Sequence, residues 1–491
     1  MRLAQGASVA VIGAGPSGLL AAKHALAAGF APTVFEAGDD LGGQWHTSAA
    51  YSGVWPGMPT NTSRGMTAFA DYPPPADWPL HPSAEQVHDY LHAYAAHFEI
   101  TPTIRLDTPV RRLELGWTVD SEPFDAVIIA SGRFRKPRIA PALEGFGGEL
   151  LHAFDYPGAD AFRDRRTLVY GNGVSGNEIA SDIATVAPVV SAFRKPRYIL
   201  QKVVDGVPSD WQWYSHFGSL QRRNLPASTF SAQLRDRVLR TAGNPVDFGG
   251  LEPDGDLLVA GHSLAQNYLR LVADGDIRCR PSITAVDGSR VTFADGTSEE
   301  FDVVVSATGY DVDLPYLSAD VRSVLGRDLA LYQSTLPIGL PTLGLVGQFA
   351  AQGPYFPLLE LQARWIVAIW SGEVEAPDER LMRRTLSAPA PAVIPHDALA
   401  LALEEEMGIT PDLRARPELT EALIFGPLLP ARHHLDGPGA MPDAASRFAQ
   451  QLSLSPRAPL EPTDLSSLRD FGLADIADLL HASGGTGDTD G

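Results

Sequence analysis

The stretch Ser8 to Glu36, SVAVIGAGPSGLLAAKHALAAGFAPTVFE, constrains this chain more than any other. An apolar β run, Val9 to Ile12, leads into Gly13, Gly15 and Gly18, and an alanine-rich helical pattern follows. Glycines at this spacing let the backbone turn tightly, approach a pyrophosphate and bring helix close to strand, with the helix N-terminus facing the anion. Pro16 and Ser17 sit inside that turn. A second β run, Thr33 to Phe35, ends on Glu36, eighteen residues beyond Gly18. An acid there accepts hydrogen bonds from ribose hydroxyls and repels a 2'-phosphate, so the expected ligand is FAD or NAD and not NADP.

A second unit repeats the plan. Thr167 to Tyr170 reads as a strand, followed by Gly171, Asn172, Gly173, Ser175 and Gly176 in GNGVSG, then a helix through Ile179 and Ile183, then a β run from Pro188 to Phe193 that ends on Arg194. FDAVIIASG, Phe124 to Gly132, returns as FDVVVSATG, Phe301 to Gly309, so two similar strands close two similar units. Gly176 to Arg194 spans the same eighteen residues as Gly18 to Glu36, which assigns an acid and a base to one structural position. Arg194 there takes a 2'-phosphate in a charge-assisted contact, and Lys195 and Arg197 add to the field. Of the chain's only lysines, Lys23, Lys136, Lys195 and Lys202, three flank or lie in this unit. The second ligand expected is NADPH.

Composition narrows the partners. The chain carries 38 Lys and Arg against 59 Asp and Glu over 491 residues, a net charge of −21, which argues against nucleic acid or an acidic membrane as its main partner. Its single cysteine, Cys279, excludes a disulfide framework and CxxC redox chemistry. The glycine motif starts so early that no leader peptide is expected, and no apolar run of about 18 residues suggests a bilayer span. A cytoplasmic protein is expected, with the oligomeric state left open between monomer and homodimer.

Between and beyond the two units, LGGQWHTS brings Gly43, Gln44, Trp45 and His46 close behind Glu36. A proline-rich polar loop, Pro59 to Pro75, presents Asn61 between Thr60 and Thr62. Ser83 to Phe98 has a helical period with a capping-box start, and its His88, His92 and His97, lacking a carboxylate or cysteine partner, read as surface residues with no metal expected. The segment 201–280 breaks into helices and loops, and Trp211, Trp213, Tyr214 and Phe217 fit either a core or a substrate approach. Asp295-Gly296 marks a hairpin turn within Arg290 to Val305. Gly344 to Trp365 reads as strand, turn and helix, able to place Gln348 or its backbone against a flavin.

These landmarks together resemble the flavin-containing monooxygenases, the single-component FAD and NADPH class, from about residue 8 to about residue 370. FGGELLHAFDY fits the signature FxGxxxHxxx(Y/F) at Phe146, Gly148, His152 and Tyr156, and GGQW, the Thr60-Asn61 loop and ATGY at Ala307 to Tyr310 agree with it. The resemblance implies an α/β fold of two Rossmann-like dinucleotide-binding domains, the second inserted in the first. The boundaries are 1–157 and 306–375 for FAD, 158–305 for NADPH, 376–483 for a C-terminal helical extension that says little about function, and 484–491 for a disordered tail. It adds Val110 and Ser131 to the flavin contacts and Thr308, Gly309 and Tyr310 to the NADP contacts. Asn61 inherits the active-site role, and His152 reads as a link at the domain junction rather than a general base.

The implied reaction is hydride transfer from NADPH to FAD, capture of O2 as a C4a-hydroperoxyflavin, and oxygen transfer to the amine nitrogen or thioether sulfur of a small molecule. A residue pair Tyr156-Pro157 in place of the tryptophan motif of Baeyer-Villiger enzymes leaves ketone oxygenation as an alternative. An NADPH oxidase or flavin redox module without oxygen transfer is the reading from a different class.

Overall fold

In the computed structural model, which describes residues 2–48, 50–326, 329–387, 393–454 and 462–484, two five-stranded parallel sheets organise the chain. The first runs in the order Leu343–Leu345, Ala126–Ile129, Ser8–Ile12, Ala31–Phe35, Ile104–Arg105, and the second in the order Ile277–Arg280, Val189–Ala192, Thr167–Tyr170, Val303–Ser306, Glu149–His152. Parallel strands need crossovers, and the helices Pro16–Ala27 and Val174–Ile183 supply the one that follows each glycine turn. The near-continuous apolar runs AVII and VVVS lie wholly buried at the centres, as strands covered on both faces must.

The internal repeat extends to hydrogen bonds. Ala126–Ile129 and Val303–Ser306 each pair with the leading strand of their sheet. The aspartate that opens each repeat caps the neighbouring strand: Asp125 Oδ2 accepts from Ser8 N at 2.8 Å, and Asp302 Oδ2 accepts from Arg166 N at 2.9 Å.

Two expectations change. Glu149–His152 is the edge strand of the second sheet, paired with Val303–Ser306, so the second unit begins before Glu149 and not at 158. The equal spacing to Glu36 and Arg194 also does not survive in register. Gly13 N donates to the Phe35 carbonyl at 2.8 Å, whereas Gly171 N donates to the Ala192 carbonyl at 2.9 Å. Glu36 therefore corresponds to Phe193, and Arg194 lies one residue further on. The stretch from the glycine turn to the end of the second strand is one residue shorter in the second unit, and sequence counting from the glycines cannot see that.

The helix Ala84–His97 begins at the expected capping box, with Ser83 Oγ accepting from Gln86 N at 3.3 Å and Gln86 Oε1 accepting from Ser83 N at 2.9 Å. The hairpin turns at Gly296, whose φ of +81° fits the Asp-Gly reading. Past the first sheet, the buried helix Phe356–Ser371 packs on the helices Pro16–Ala27 and His396–Met407. Buried charge locks the extension to it. Glu360 Oε1 meets His434 Nε2 at 2.9 Å, and within the extension itself Glu404 Oε1 meets His433 Nδ1 at 2.7 Å and Arg432 Nε at 3.1 Å. Burial alone would raise Glu404, but Arg432 and His433 outweigh it and hold the carboxyl at about 2. Among the described residues no helix is long and apolar enough to cross a membrane. Residues 485–491, where a disordered tail is expected, lie outside the described residues.

Candidate active site

Each glycine turn is built by contact. A Cβ on Gly18 would stand 1.8 Å from the Gly13 carbonyl oxygen, and one on Gly176 would stand 2.2 Å from that of Gly171, so only glycine lets each helix start so close to its strand. Gly13, with φ of +106°, leaves the N-terminus of the helix Pro16–Ala27 open to the space above the sheet. Gly43 crosses over this turn, its Cα 3.5 Å from where a Gly15 side chain would begin.

Glu36 sits beneath that crossing. Its carboxylate accepts from Ala14 N at 2.7 Å, Gly38 N at 2.9 Å and the Tyr51 hydroxyl at 3.0 Å. A carboxylate has roughly four acceptor sites, so one remains for a ribose hydroxyl, and its charge still opposes a phosphate.

A single cavity of about 1440 Å³ connects the two turns. From the first unit it takes Gly13, Gly15, Pro16, Ser17, Glu36, Gly43, Gln44 and Trp45 in its wall, together with Val110 and Ser131. Thr60, Asn61 and Thr62 stand between the units, and Gly173, Ser175, Lys195, Gly309 and Tyr310 line the far side. Other expected residues are not in the wall. Gly18, Gly171 and Gly176 are packing contacts, and buried Asn172 keeps an Oδ1 without a partner. His46 stacks on His88 at 5.2 Å, Thr308 bonds the Arg138 carbonyl, and buried Gln348 donates to the Gly132 carbonyl at 3.2 Å. Arg194 is exposed and makes no ion pair among the described residues, whereas Arg197, absent from the expected contacts apart from its charge, lines the cavity beside Lys195.

Asn61 presents a buried Oδ1 with no hydrogen-bond partner at the cavity wall. The loop that carries it is fixed from below. Thr60 Oγ1 donates to the Thr62 carbonyl at 2.7 Å, and Ser63 N donates to Asp210 Oδ2 at 2.6 Å. Sequence reasoning missed Asp210. Buried at the wall with Oδ1 unpaired, its carboxyl is pushed up to about 6 by burial, against the pull of the Ser63 bond. No motif marks an aspartate that arrives from 147 residues away in sequence.

The aromatic run divides in two. Trp211 is buried, with Nε1 donating to Ser63 Oγ at 3.1 Å, and Phe217 packs on Phe425 at 4.8 Å; these are core. Trp213 and Tyr214 line the cavity. The extension closes the same wall with Ile394, Pro395 and Ala398, and Ile394–Pro395 pairs with Ala351–Gln352. That segment thus has a place at the site, which composition did not reveal.

His152 ends the second sheet's edge strand. Its Nε2 faces the Gly309 carbonyl at 3.0 Å while Nδ1 accepts from Phe154 N at 3.0 Å, so both ring nitrogens hold backbone and neither is free for acid-base work. Burial lowers its pKa.

The cradles fit the two dinucleotides that their glycines and charges call for. The first offers a helix N-terminus, an acid at the ribose position and Gly15 in the cavity wall. The second offers the Gly173 turn with Lys195 and Arg197 alongside.

Comparison with known proteins agrees with this geometry. The model of the flavin-binding monooxygenase-like family matches residues 6–455. The N-oxide-forming dimethylaniline monooxygenase 2 of Cavia porcellus is 30% identical over 88% of this chain and 89% of its own. Among solved structures, S-allyl-L-cysteine S-oxygenase from Allium sativum superposes with a TM-score of 0.60 at 22% identity, covering 91% of this chain and 99% of that one. Cyclohexanone monooxygenase from Rhodococcus sp. Phi1 bound to NADP+ gives 0.59 at 18% identity, over 82% and 97%.

Proposed function

The chain belongs to the flavin-binding monooxygenase-like family, FAD-containing and NADPH-dependent monooxygenases, and we propose that it oxygenates the nitrogen or sulfur of an apolar small molecule. The observation that carries the reading is the one cavity shared by both glycine turns, with Asn61 between them. In this reading the first sheet holds FAD at Gly13, Gly15, Ser17 and Glu36, and the second holds NADPH at Gly173, Ser175, Lys195 and Arg197.

Bound flavin, reduced by NADPH, supplies an electrophilic oxygen atom from O2. The protein's share is binding, orientation and exclusion of water. The Asn61 side chain, unpaired at the wall, is available to hydrogen-bond the reacting end of the cofactors. Thr60, Thr62 and Asp210 fix its loop so that this group meets the cofactors preorganised. Lys195 and Arg197 set the coenzyme by its phosphate. Trp213, Tyr214 and Ile394 exclude water from the reacting space.

The approach to the cavity supports the substrate class. Leu258, Val259 and Val393 are among the large apolar residues left exposed, at 52%, 48% and 45%, and all three belong to the cavity wall. An apolar mouth admits a lipophilic amine or thioether more readily than a charged amino acid. Of the relatives named above, one is called N-oxide-forming and another is called an S-oxygenase of S-allyl-L-cysteine, which supports nitrogen or sulfur as the reacting atom while the apolar class rests on the cavity mouth.

Parallel incubations with a tertiary amine, a thioether and a cyclic ketone, scored by product, test the proposal. N-oxide or sulfoxide is expected, and lactone as the main product would move the assignment to Baeyer-Villiger oxygenation. Hydrogen peroxide without any oxygenated product would indicate an NADPH oxidase.

A further inference from the structure

The helix Ala84–His97 carries His88 and His92 one turn apart, and four-residue spacing puts both rings on one face. The turn after the strand Ala31–Phe35 brings Asp40 to that face. Asp40 Oδ2 lies 3.0 Å from His92 Nε2 and 3.6 Å from His88 Nε2, and the three donor atoms fall within 4.8 Å of one another. The carboxylate that the sequence reading found missing is supplied from 48 and 52 residues away.

We propose that Asp40, His88 and His92 form a site for a divalent transition ion of the zinc class, with the remaining position open to water. Ligands about 2.0–2.1 Å from a tetrahedral ion stand roughly 3.3 Å apart, and the two observed separations bracket that value. Two imidazoles and one carboxylate are a donor set that suits zinc and disfavours magnesium or calcium, which want oxygen alone. The side chains of His88, Asp40 and His92 are 19%, 33% and 42% exposed, so the site has an entry path and still a sheltered side.

The surroundings hold the ligands in place. His46 stacks parallel on the His88 ring at 5.2 Å, and Ser48 Oγ contacts His46 Nε2 at 2.8 Å. Without metal, His88 Nε2 faces the Leu41 carbonyl at 2.9 Å, so ligation through that nitrogen exchanges a backbone contact for the ion.

The site has structural reach. Asp40 and Leu41 lead into Gly42, whose N–H donates to the Ala14 carbonyl at 3.0 Å, and into Gly43, which crosses Gly15. An ion joining Asp40 to the helix Ala84–His97 braces the strand-to-turn segment that roofs the first glycine turn. The ion stabilises this wall and takes no part in oxygen transfer.

The test is zinc chloride titrated by calorimetry into the flavin-loaded enzyme stripped with EDTA. One ion per chain is expected. His92→Ala and Asp40→Asn should each weaken binding at least tenfold, and His92→Cys, which restores a ligand, should regain it. Cobalt(II) should give visible bands beyond the flavin absorption in the wild type and lose them in His92→Ala. Amides of residues 40–46 should exchange with deuterium more slowly when zinc is present. Unchanged zinc affinity in His92→Ala or in Asp40→Asn would overturn the site, and unchanged exchange at 40–46 would overturn the bracing.

Discussion

Lys202 Nζ pairs with Glu178 Oε2 at 2.8 Å and reaches the Thr60 carbonyl at 3.5 Å, tying the helix Val174–Ile183 to the loop that carries Asn61. The two side chains are only 6% and 14% exposed, so removing one partner strands a sheltered charge. Lys202→Met should cost about 3 kcal/mol. The apparent thermal midpoint, followed by flavin fluorescence, should fall, and Lys202→Met/Glu178→Met should recover much of the loss. A double variant no more stable than the single one would show that the pair contributes nothing by its charge.

Coenzyme choice should follow Lys195 and Arg197 rather than Arg194. Both line the cavity, while Arg194 faces solvent one residue past the position that matches Glu36. A hydrogen bond to a charged phosphate is worth about 1.5–3 kcal/mol. Arg197→Ala should therefore raise KM for NADPH at least tenfold and leave KM for NADH nearly unchanged, with Arg194→Ala showing the smaller effect. Steady-state kinetics with the two coenzymes decides it, and equal losses for both would refute a phosphate role.

Asn61 should govern coupling more than binding. Its unpaired Oδ1 lies at the wall, and the loop around it is held by other residues. Asn61→Ala and Asn61→Asp should retain flavin while the ratio of hydrogen peroxide to oxygenated product rises severalfold. A variant coupled as tightly as the wild type would remove Asn61 from the chemistry.

Acid should destabilise the fold well before the carboxylates titrate. Burial lowers His81, His216 and His262 to about 4 and His396 to about 3. These rings stay neutral in the fold while the unfolded chain takes up protons below about 6.5. Their contribution is complete above that pH and is lost as pH falls towards 4. Asp210, raised to about 6, acts oppositely: its contribution is complete below its ordinary value near 3.8 and is lost as pH rises through 6. Four groups outweigh one, at about 1.4 kcal/mol per pH unit for each proton. The thermal midpoint should drop steeply from pH 6.5 to 4, and a flat profile there would contradict the assignment of neutral buried rings.

The legible parts of the chain were those whose physics is local. Glycines spaced for a tight turn, the repeated FD strands and the Ser83 capping box each act within a few residues, and each appears where the pattern placed it. What sequence could not show depends on distant parts meeting. Asp210 reaches Ser63 across the fold, Asp40 turns two surface histidines into a cluster, and Ile394 closes a cavity opened by Gly15. The equal placement of Glu36 and Arg194 did not hold for a subtler reason: the stretch from glycine turn to strand end is one residue shorter in the second unit, and counting from the glycines carries no information about where the strand stops.

The central claim is that one atom of O2 reaches the substrate. Under 18O2, with NADPH and a thioether or tertiary amine, the purified enzyme should give sulfoxide or N-oxide bearing one 18O, in an amount close to the NADPH consumed. NADPH consumption matched by hydrogen peroxide, with unlabelled substrate recovered intact, would contradict it.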